Sequence, residues 1–457
     1  MSVVVCADVG STFTKAVVVD SADGVLLGAA ACPTTVGGDV WDGLAAAVRA
    51  AGAAVSGGAE SGGVESVPWL VCSSAGGGLR LAVVGYEPLV TARAGVRVGL
   101  SAGAQVVSVV AGLLDAAGLA LLRESRPDVV LLVGGTDGGD AQVLLHNAGS
   151  LAAAGLAVPV VVAGNVVACP AAVATLAGAG VAVTAAGNVL PRLGVLAPGS
   201  ARAAVREVFL RSVIGGGRLS VDGRFGQVVR AATPDAVLSG VALLAGCAKA
   251  DLLVVDVGGA TTDVYSVVGA DSQPAADEPV VGVPVAGWWD QSRTVEGDLG
   301  VRAGAGGVVA AAVAERLIGP EQAAALAGPA AARVADPGLV AVDEAARSVD
   351  LRLVELAALV AVRRHARAQE ELPGSGRDLR RVRWLVGSGG VLRRVGVAAA
   401  VDVLRSVAGD RAGGWLVPRA AVPVVDSVYV LAAAGLLSVD YPGAAAGLLR
   451  RYVLAGR

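Results

Sequence analysis

The chain has 457 residues, 54% hydrophobic and 16% charged, with 36 Lys and Arg against 39 Asp and Glu for a net charge of -3. That length can bury two or three cores. The composition argues against a disordered chain and, lacking a basic field, against one that coats nucleic acid.

In chain order, the start from Met1 to Cys6 has no basic n-region and runs straight into a glycine turn, so a cytoplasmic protein without a signal peptide is expected. Cys6, Cys32, Cys72, Cys169 and Cys247 are scattered in apolar settings, with no Cys-x-x-Cys pair. Reduced core thiols are expected rather than disulfides or zinc. Valine-rich strands are predicted over 3–7, 15–19 and 25–31, with Asp23-Gly24 as a hairpin turn. A helix over 40–55 and a strand over 69–72 follow, which is the order of an RNase H-like lobe. Residues 79–202 alternate helices with strands at 129–133, 158–163 and 181–184, predicting a small parallel sheet inserted in that lobe.

No charged residue lies between Asp140 and Arg192, a stretch longer than the roughly 20 apolar residues of a membrane span. Pro159, Pro170, Gly164-Asn165 and Gly187-Asn188 cut it. Parallel strands covered on both faces read as continuous apolar runs anyway, so no membrane span is expected. A second three-strand opening begins near Leu252. A helical region follows Gly306, with a long amphipathic helix over 341–369, then a strand over 382–386 and closing helices. The expected division is 1–78 and 203–250 for the first lobe, 79–202 for the insertion, and 251–457 for the second lobe with a helical insertion over 306–372.

The chemistry lies in the turns. Asp8-Val9-Gly10-Ser11-Thr12-Phe13-Thr14-Lys15 links two strands. Its glycine and small hydroxyl residues let backbone N–H groups approach phosphate oxygens, and an aspartate ending the first strand can hold magnesium through water. Alone, it is equally a plain hairpin turn. Asp256-Val257-Gly258-Gly259-Ala260-Thr261-Thr262-Asp263 repeats Asp-Val-Gly and the threonine at the seventh position, between strands of the same kind. The repeat marks a duplicated lobe whose two hairpins can hold phosphates from both sides. A third turn, Gly387-Ser388-Gly389-Gly390, ends a buried strand before a helix and allows close approach to adenosine, ribose or α-phosphate. Lys15 could reach phosphate oxygens with its ammonium, or be a solvated lysine on a strand.

The order of these motifs resembles the actin, sugar kinase and DnaK-type superfamily. Thr233-Pro234-Asp235-Ala236-Val237 looks like its first connecting segment, and Asp426-Ser427-Val428-Tyr429-Val430 like its second. The resemblance implies an α/β fold of duplicated RNase H-like lobes and binding of ATP and magnesium. It implies that Asp8, Asp256 and Asp426 act around the metal, and that Asp256 or Asp263 orients an attacking water.

Further motifs narrow the family. They are Cys72-Ser73-Ser74-Ala75-Gly76-Gly77-Gly78-Leu79-Arg80, the run from Leu132 through Gly134-Gly135-Thr136-Asp137-Gly138-Gly139-Asp140, Ala163-Gly164-Asn165, and Arg293-Thr294-Val295-Glu296-Gly297-Asp298-Leu299-Gly300. Together they resemble the MutL/GlmL family, accessory proteins of cobalamin-dependent glutamate (methylaspartate) mutase. That resemblance implies a reactivating or chaperone-like ATPase with a mutase subunit as partner. Two rivals share the fold: a small-molecule kinase, which needs a base such as Asp263, and a nucleotide-gated scaffold without turnover. The 134–140 loop reads equally as a ligand loop or a tight glycine turn. Glu296 and Asp298 read as helix-capping charges or as site acids.

Overall fold

The computed structural model describes residues 2–10, 12–35, 38–56, 64, 66–75, 79–87, 91–101, 104–193, 195–211, 219–269, 289–367 and 377–455. The chain opens with strands Val3–Val9 (β1), Phe13–Asp20 (β2) and Leu26–Pro33 (β3), helix Val40–Ser56 (α1) and strand Trp69–Ser73 (β4). The β2–β3 turn forms where the sequence places it: Asp23 accepts the Val25 N–H through Oδ1 at 3.0 Å, and Gly24 takes φ +76°.

The insertion is a doubly wound unit of strands Arg80–Gly85 (β5), Gln105–Ala111 (β6), Val129–Leu132 (β7), Val160–Val162 (β8) and Val183–Ala185 (β9). Between them run helices Arg93–Ser101 (α2), Ala116–Ser125 (α3), Gln142–Ala153 (α4) and Cys169–Gly178 (α5). All its strand pairs are parallel, in the order β6-β5-β7-β8-β9. The charge-free stretch is thus α4, β8, α5 and β9, with β8 fully buried and the two helices covering the sheet with one face each. Among the described residues no helix is long and apolar enough to cross a membrane.

Helices Gly199–Phe209 (α6) and Gly223–Val228 (α7) lead back to strand Val229–Ala232 (β10), which joins β4 in parallel. The first sheet therefore reads β10-β4-β1-β2-β3, antiparallel across β1, β2 and β3 and parallel across β1, β4 and β10. One cluster of buried side chains runs from Val5, Ala7 and Val18 to Leu81, Val83 and Leu131 of the inserted sheet and Val205 of α6.

Helix Thr233–Ala248 (α8) crosses to the second lobe, made of strands Leu252–Val257 (β11), Thr262–Gly269 (β12) and Trp289–Glu296 (β13). Helices Ala305–Ala314 (α9), Pro320–Ala335 (α10) and Glu344–Ala366 (α11) follow, then strand Trp384–Ser388 (β14), helices Gly390–Arg394 (α12) and Val397–Ala408 (α13), strand Val422–Val425 (β15), and helices Leu431–Leu437 (α14) and Pro442–Leu449 (α15). This sheet reads β13-β12-β11-β14-β15, with the same antiparallel and parallel pattern as the first. The fold is two RNase H-like lobes of matching topology, the actin-like arrangement, with a parallel α/β insertion.

The lobes meet on α8 and α14, which cross backbone to backbone. A Cβ on Gly435 would lie 1.8 Å from the Ala236 carbonyl oxygen, and one on Gly240 would lie 2.0 Å from that of Leu431. Glycine is the residue type that fits at both positions. The crossing is sealed by Leu238, Val241 and Leu244 of α8 with Leu431, Leu436 and Leu437, between the facing sides of both sheets.

Candidate functional site

Strand alternation decides which side chains reach the space between the lobes. Val4 and Cys6 of β1 and Val17 and Val19 of β2 belong to the interlobe core, as do Leu252, Val254, Tyr265 and Val267 of β11 and β12. By the period of two, Asp8, Lys15, Asp256 and Asp263 continue those rows. Register puts Asp8 opposite Lys15 in the first hairpin and Asp256 opposite Asp263 in the second. Thr14 and Thr262 follow the other row, with Ala16, Val18 and Val264, and are fully buried. The Thr14 hydroxyl bonds Thr34 Oγ1 at 2.9 Å, and that of Thr262 donates to the Leu299 carbonyl at 2.7 Å. Both repeated threonines thus brace the hairpins from behind.

The two hairpin tips are built alike. Gly10 N–H donates to the Phe13 carbonyl at 3.2 Å, and Gly258 N–H to that of Thr261 at 2.9 Å. A Cβ on either glycine would come 2.8 Å from that carbonyl oxygen. Thr12 and Ala260 are exposed at the tips, and Gly259 is half-buried. Ser11 lies outside the described residues, as do Gly76, Gly77 and Gly78. The third turn sits beside the second hairpin: Gly389 takes φ +113°, and a Cβ on it would lie 2.2 Å from the Val257 carbonyl oxygen. Gly387 packs on Leu404 of α13, Ser388 is buried at the strand end, and Gly390 begins α12 in open space.

Asp8 is the most connected of these residues. Its Oδ1 accepts the Thr233 hydroxyl at 2.5 Å, and its Oδ2 accepts Lys15 Nζ at 3.2 Å and the Tyr429 hydroxyl at 3.1 Å. Lys15 Nζ also stands 3.6 Å above the Tyr429 ring. A cavity of about 240 Å³ opens here, lined by Asp8, Lys15, Arg393 and Tyr429 over a floor of alanines from β3 and α14. Arg394 lies 5.7 Å from the Phe13 ring centre across the lobes.

The other carboxylates differ sharply. Asp256 is half-buried, and its carboxyl is pushed up to about 6 by burial first, with Asp263, Asp8 and Asp426 adding to the shift and Lys15 opposing it. Among the described residues it has no hydrogen-bond partner, which suits a group that handles a proton near neutral pH. Asp263 is held by Arg293 through Nε at 2.9 Å and Nη2 at 2.5 Å, and Thr261 Oγ1 stands 3.2 Å from its other oxygen. Arg293 is itself buried, so the pair is a fixed ionic contact. Asp426 is fully buried and caps α14, accepting Val430 N–H at 2.9 Å and Leu431 N–H at 3.3 Å. Burial holds its carboxyl above the usual range. Its oxygens serve the helix end. Among the described residues no three His, Cys, Asp or Glu side chains converge into a metal cage.

The Arg293–Gly300 motif forms a collar around the second hairpin. Val301 N–H donates to the Gly258 carbonyl at 3.0 Å and Arg302 N–H to that of Gly259 at 2.8 Å. Behind the collar, Arg364 of α11 clamps Glu296 at 2.8 Å and Asp298 at 2.7 Å and 3.0 Å, so these acids are structural ties. Arg302 pairs with Asp350 at 2.7 Å, and Asp350 pairs with buried Arg333 at 2.6 Å. The 134–140 loop is likewise tied internally. Asn188 Nδ2 donates to the Gly135 carbonyl at 3.0 Å and to Asp137 Oδ1 at 2.8 Å, and Asn165 Nδ2 donates to the Gly139 carbonyl at 3.0 Å. Sequence reasoning missed Thr233, Tyr429, Arg293 and Arg393 as members of the site. The first three stand inside quoted motifs, yet nothing local links them to Asp8 or Asp263.

A family model described as MutL protein matches residues 4–453. The curated Protein MutL of Clostridium tetanomorphum is 32% identical over 465 residues, covering 98% of each chain. Among solved structures, the ATP-dependent caprolactamase of Pseudomonas jessenii aligns at 14% identity and a TM-score of 0.38, over 95% of this chain and 70% of that one. A diol dehydratase-reactivating factor in nucleotide-free form aligns at 11% identity and 0.38, over 97% and 100%. These structural likenesses are distant. The whole-chain family match and the curated relative show that the chain belongs to the MutL protein family.

Proposed function

We propose that this protein binds magnesium–ATP between its two glycine hairpins and uses hydrolysis to remodel a cobalamin-dependent mutase of the glutamate mutase type. The observation that carries the reading is the pair of like-built hairpins, one per lobe, whose Asp8 and Asp256 rows face the same interlobe space. The family assignment supports an accessory role, and the sequence resemblance supplies the mutase.

The residues present fit both groups. The tips are tight turns in which a Cβ at Gly10 or Gly258 would meet the hairpin's own carbonyl oxygen, with Thr12 and Ala260 exposed beside them. Asp8 offers hard carboxylate oxygens, and magnesium is commonly held by one or two carboxylates plus phosphates rather than by an all-protein cage. Bound there, the metal would neutralise charge on the phosphate oxygens. In this reading the backbone N–H groups of Thr12, Gly259 and Ala260 at the hairpin tips orient the phosphates, and Lys15 supplies a cation. Asp256 takes the proton of the attacking water, and the 387–390 turn receives the nucleoside side. Asp263, committed to Arg293, supports the second hairpin, which weighs against a kinase that would use it as base. The moving bodies in this reading are 1–78 with 203–250, 79–202, and 251–457 with its helical insertion over 306–372.

ATP hydrolysis by the purified protein, with and without a cobalamin mutase of the same source, tests the reading. Turnover stimulated by the mutase and lost in Asp256→Asn is expected. Tight ATP binding without turnover in either condition would replace it with a nucleotide-gated scaffold.

A further inference from the structure

The carboxylate of Asp8 touches the beginning of both helices on which the lobes cross. Its Oδ1 bonds Thr233, the first residue of α8, and its Oδ2 bonds the hydroxyl of Tyr429, two residues before α14. These two helices pack with their backbones in contact at Gly240 and Gly435. Tyr429 belongs to the second lobe and Asp8 to the first, so this hydrogen bond spans the cleft, and so does the stacking of Lys15 on the tyrosine ring.

Tyr429 is also held in an unfavourable backbone conformation. Its φ is +60°, the left-handed region, where a side chain with a Cβ is strained. The residue is 8% exposed. Surroundings that fix a large aromatic there must compensate the strain, and the contacts made by its polar and aromatic parts are those to Asp8, Lys15 and Arg393. The cavity beside it measures about 240 Å³, below the roughly 300–1,000 Å³ typical of small-molecule sites.

We propose that Tyr429 is an interlobe latch: its hydroxyl occupies Asp8 Oδ2 in the nucleotide-free protein, and a metal–nucleotide complex must displace it, freeing the starts of α8 and α14 to move. The metal–nucleotide part rests on the proposed function. The latch itself rests on the contacts above. Both ends of one switch meet on a single carboxylate, so occupancy at Asp8 and the angle between the crossing helices are coupled.

Tyr429→Phe keeps the ring over Lys15 and removes only the hydroxyl. Its affinity for ATP in magnesium is expected to rise at least about tenfold, the lower end of what loss of one competing hydrogen bond to a charged group produces. With EDTA present, the ATP affinities of parent and variant are expected to be equal, because the competition is for the carboxylate that the metal needs. A purely structural tyrosine would change both conditions alike or weaken binding, and either result would overturn the latch.

Hydrogen exchange on the nucleotide-free full chain gives a readout that needs no ATP. Faster exchange at the starts of both α8 and α14 is expected in Tyr429→Phe, and at the start of α8 in Thr233→Val, which cuts the other bond to Asp8. Unchanged exchange in both variants would sink the latch. Absence of ATP binding by the parent, with the exchange changes present, would leave the latch standing and remove the ATP reading instead.

Discussion

Asp256 and Asp263 face each other across one hairpin and are handled in opposite ways. Asp256 has a carboxyl near 6 in the folded protein against 3.8 for the free group, so the unfolded chain ionises first. Its contribution to stability is complete below about pH 4 and is lost as pH rises through about 6. Asp256→Asn removes that penalty. The nucleotide-free variant should be more stable than the parent by on the order of 2 kcal/mol at neutral pH and equal to it in acid. Urea midpoints at the two pH values check this, and equal midpoints at neutral pH would contradict it. Asp263 instead relies on Arg293. Arg293→Ala strands a part-buried carboxylate and should cost about 3 kcal/mol by chemical denaturation, whereas an effect under about 0.5 kcal/mol would mean that solvent screens the pair.

At the scale of elements, the second hairpin depends on its collar and the lobes depend on the helix crossing. Gly435→Ala puts a methyl 1.8 Å from a backbone oxygen and should destabilise by at least about 2 kcal/mol. Gly328 of α10 faces open space, so Gly328→Ala should gain roughly 0.5–1 kcal/mol from helix propensity. If the two substitutions had the same sign, the crossing would not be as close as described. The strands that the sequence revealed, β1, β2, β11 and β12, are valine rows bounded by glycine turns, the pattern that local chemistry writes most clearly. Strand β13, WDQSRTVE, has no apolar alternation, because polar Ser292 and Arg293 are both buried mid-strand, Arg293 in its pair with Asp263, and so it was not legible. Strands β5 and β6, flanked by glycine and alanine runs, were hidden for a related reason: composition this rich in small residues blurs every period. The long helix over 341–369 was legible, and α11 spans Glu344–Ala366 within it. The glycines and aspartates of the site could be read from their repeat. The pairing of Tyr429 with Asp8 could not, because 421 residues separate them and only the lobes' closure joins them.

Across the whole molecule, the cleft is wired to the insertion. Asp235, on the first turn of α8 two residues after the Asp8 partner Thr233, meets Arg206 at 2.5 Å and Arg202 at 3.8 Å on α6. That helix packs on β7, β8 and β9, and α2 of the insertion lies beside β13 of the second lobe. In the proposed latch, movement at the start of α8 reaches α6 and the inserted sheet on which it packs. Arg206→Ala should leave ATP affinity within about twofold while reducing mutase stimulation of turnover, since it cuts an ion pair between α6 and α8, with Asp235 buried and Arg206 partly exposed, rather than a contact in the cleft. Equal stimulation in parent and variant would contradict that route.

The central claim is that the two hairpins jointly hold magnesium–ATP. Calorimetric titration of magnesium–ATP into the parent chain, Asp8→Ala and Gly258→Val tests it most directly. One site per chain in the parent, with affinity lowered at least about a hundredfold in both variants, is the predicted result. Undiminished binding in either variant, or none in the parent, would contradict it.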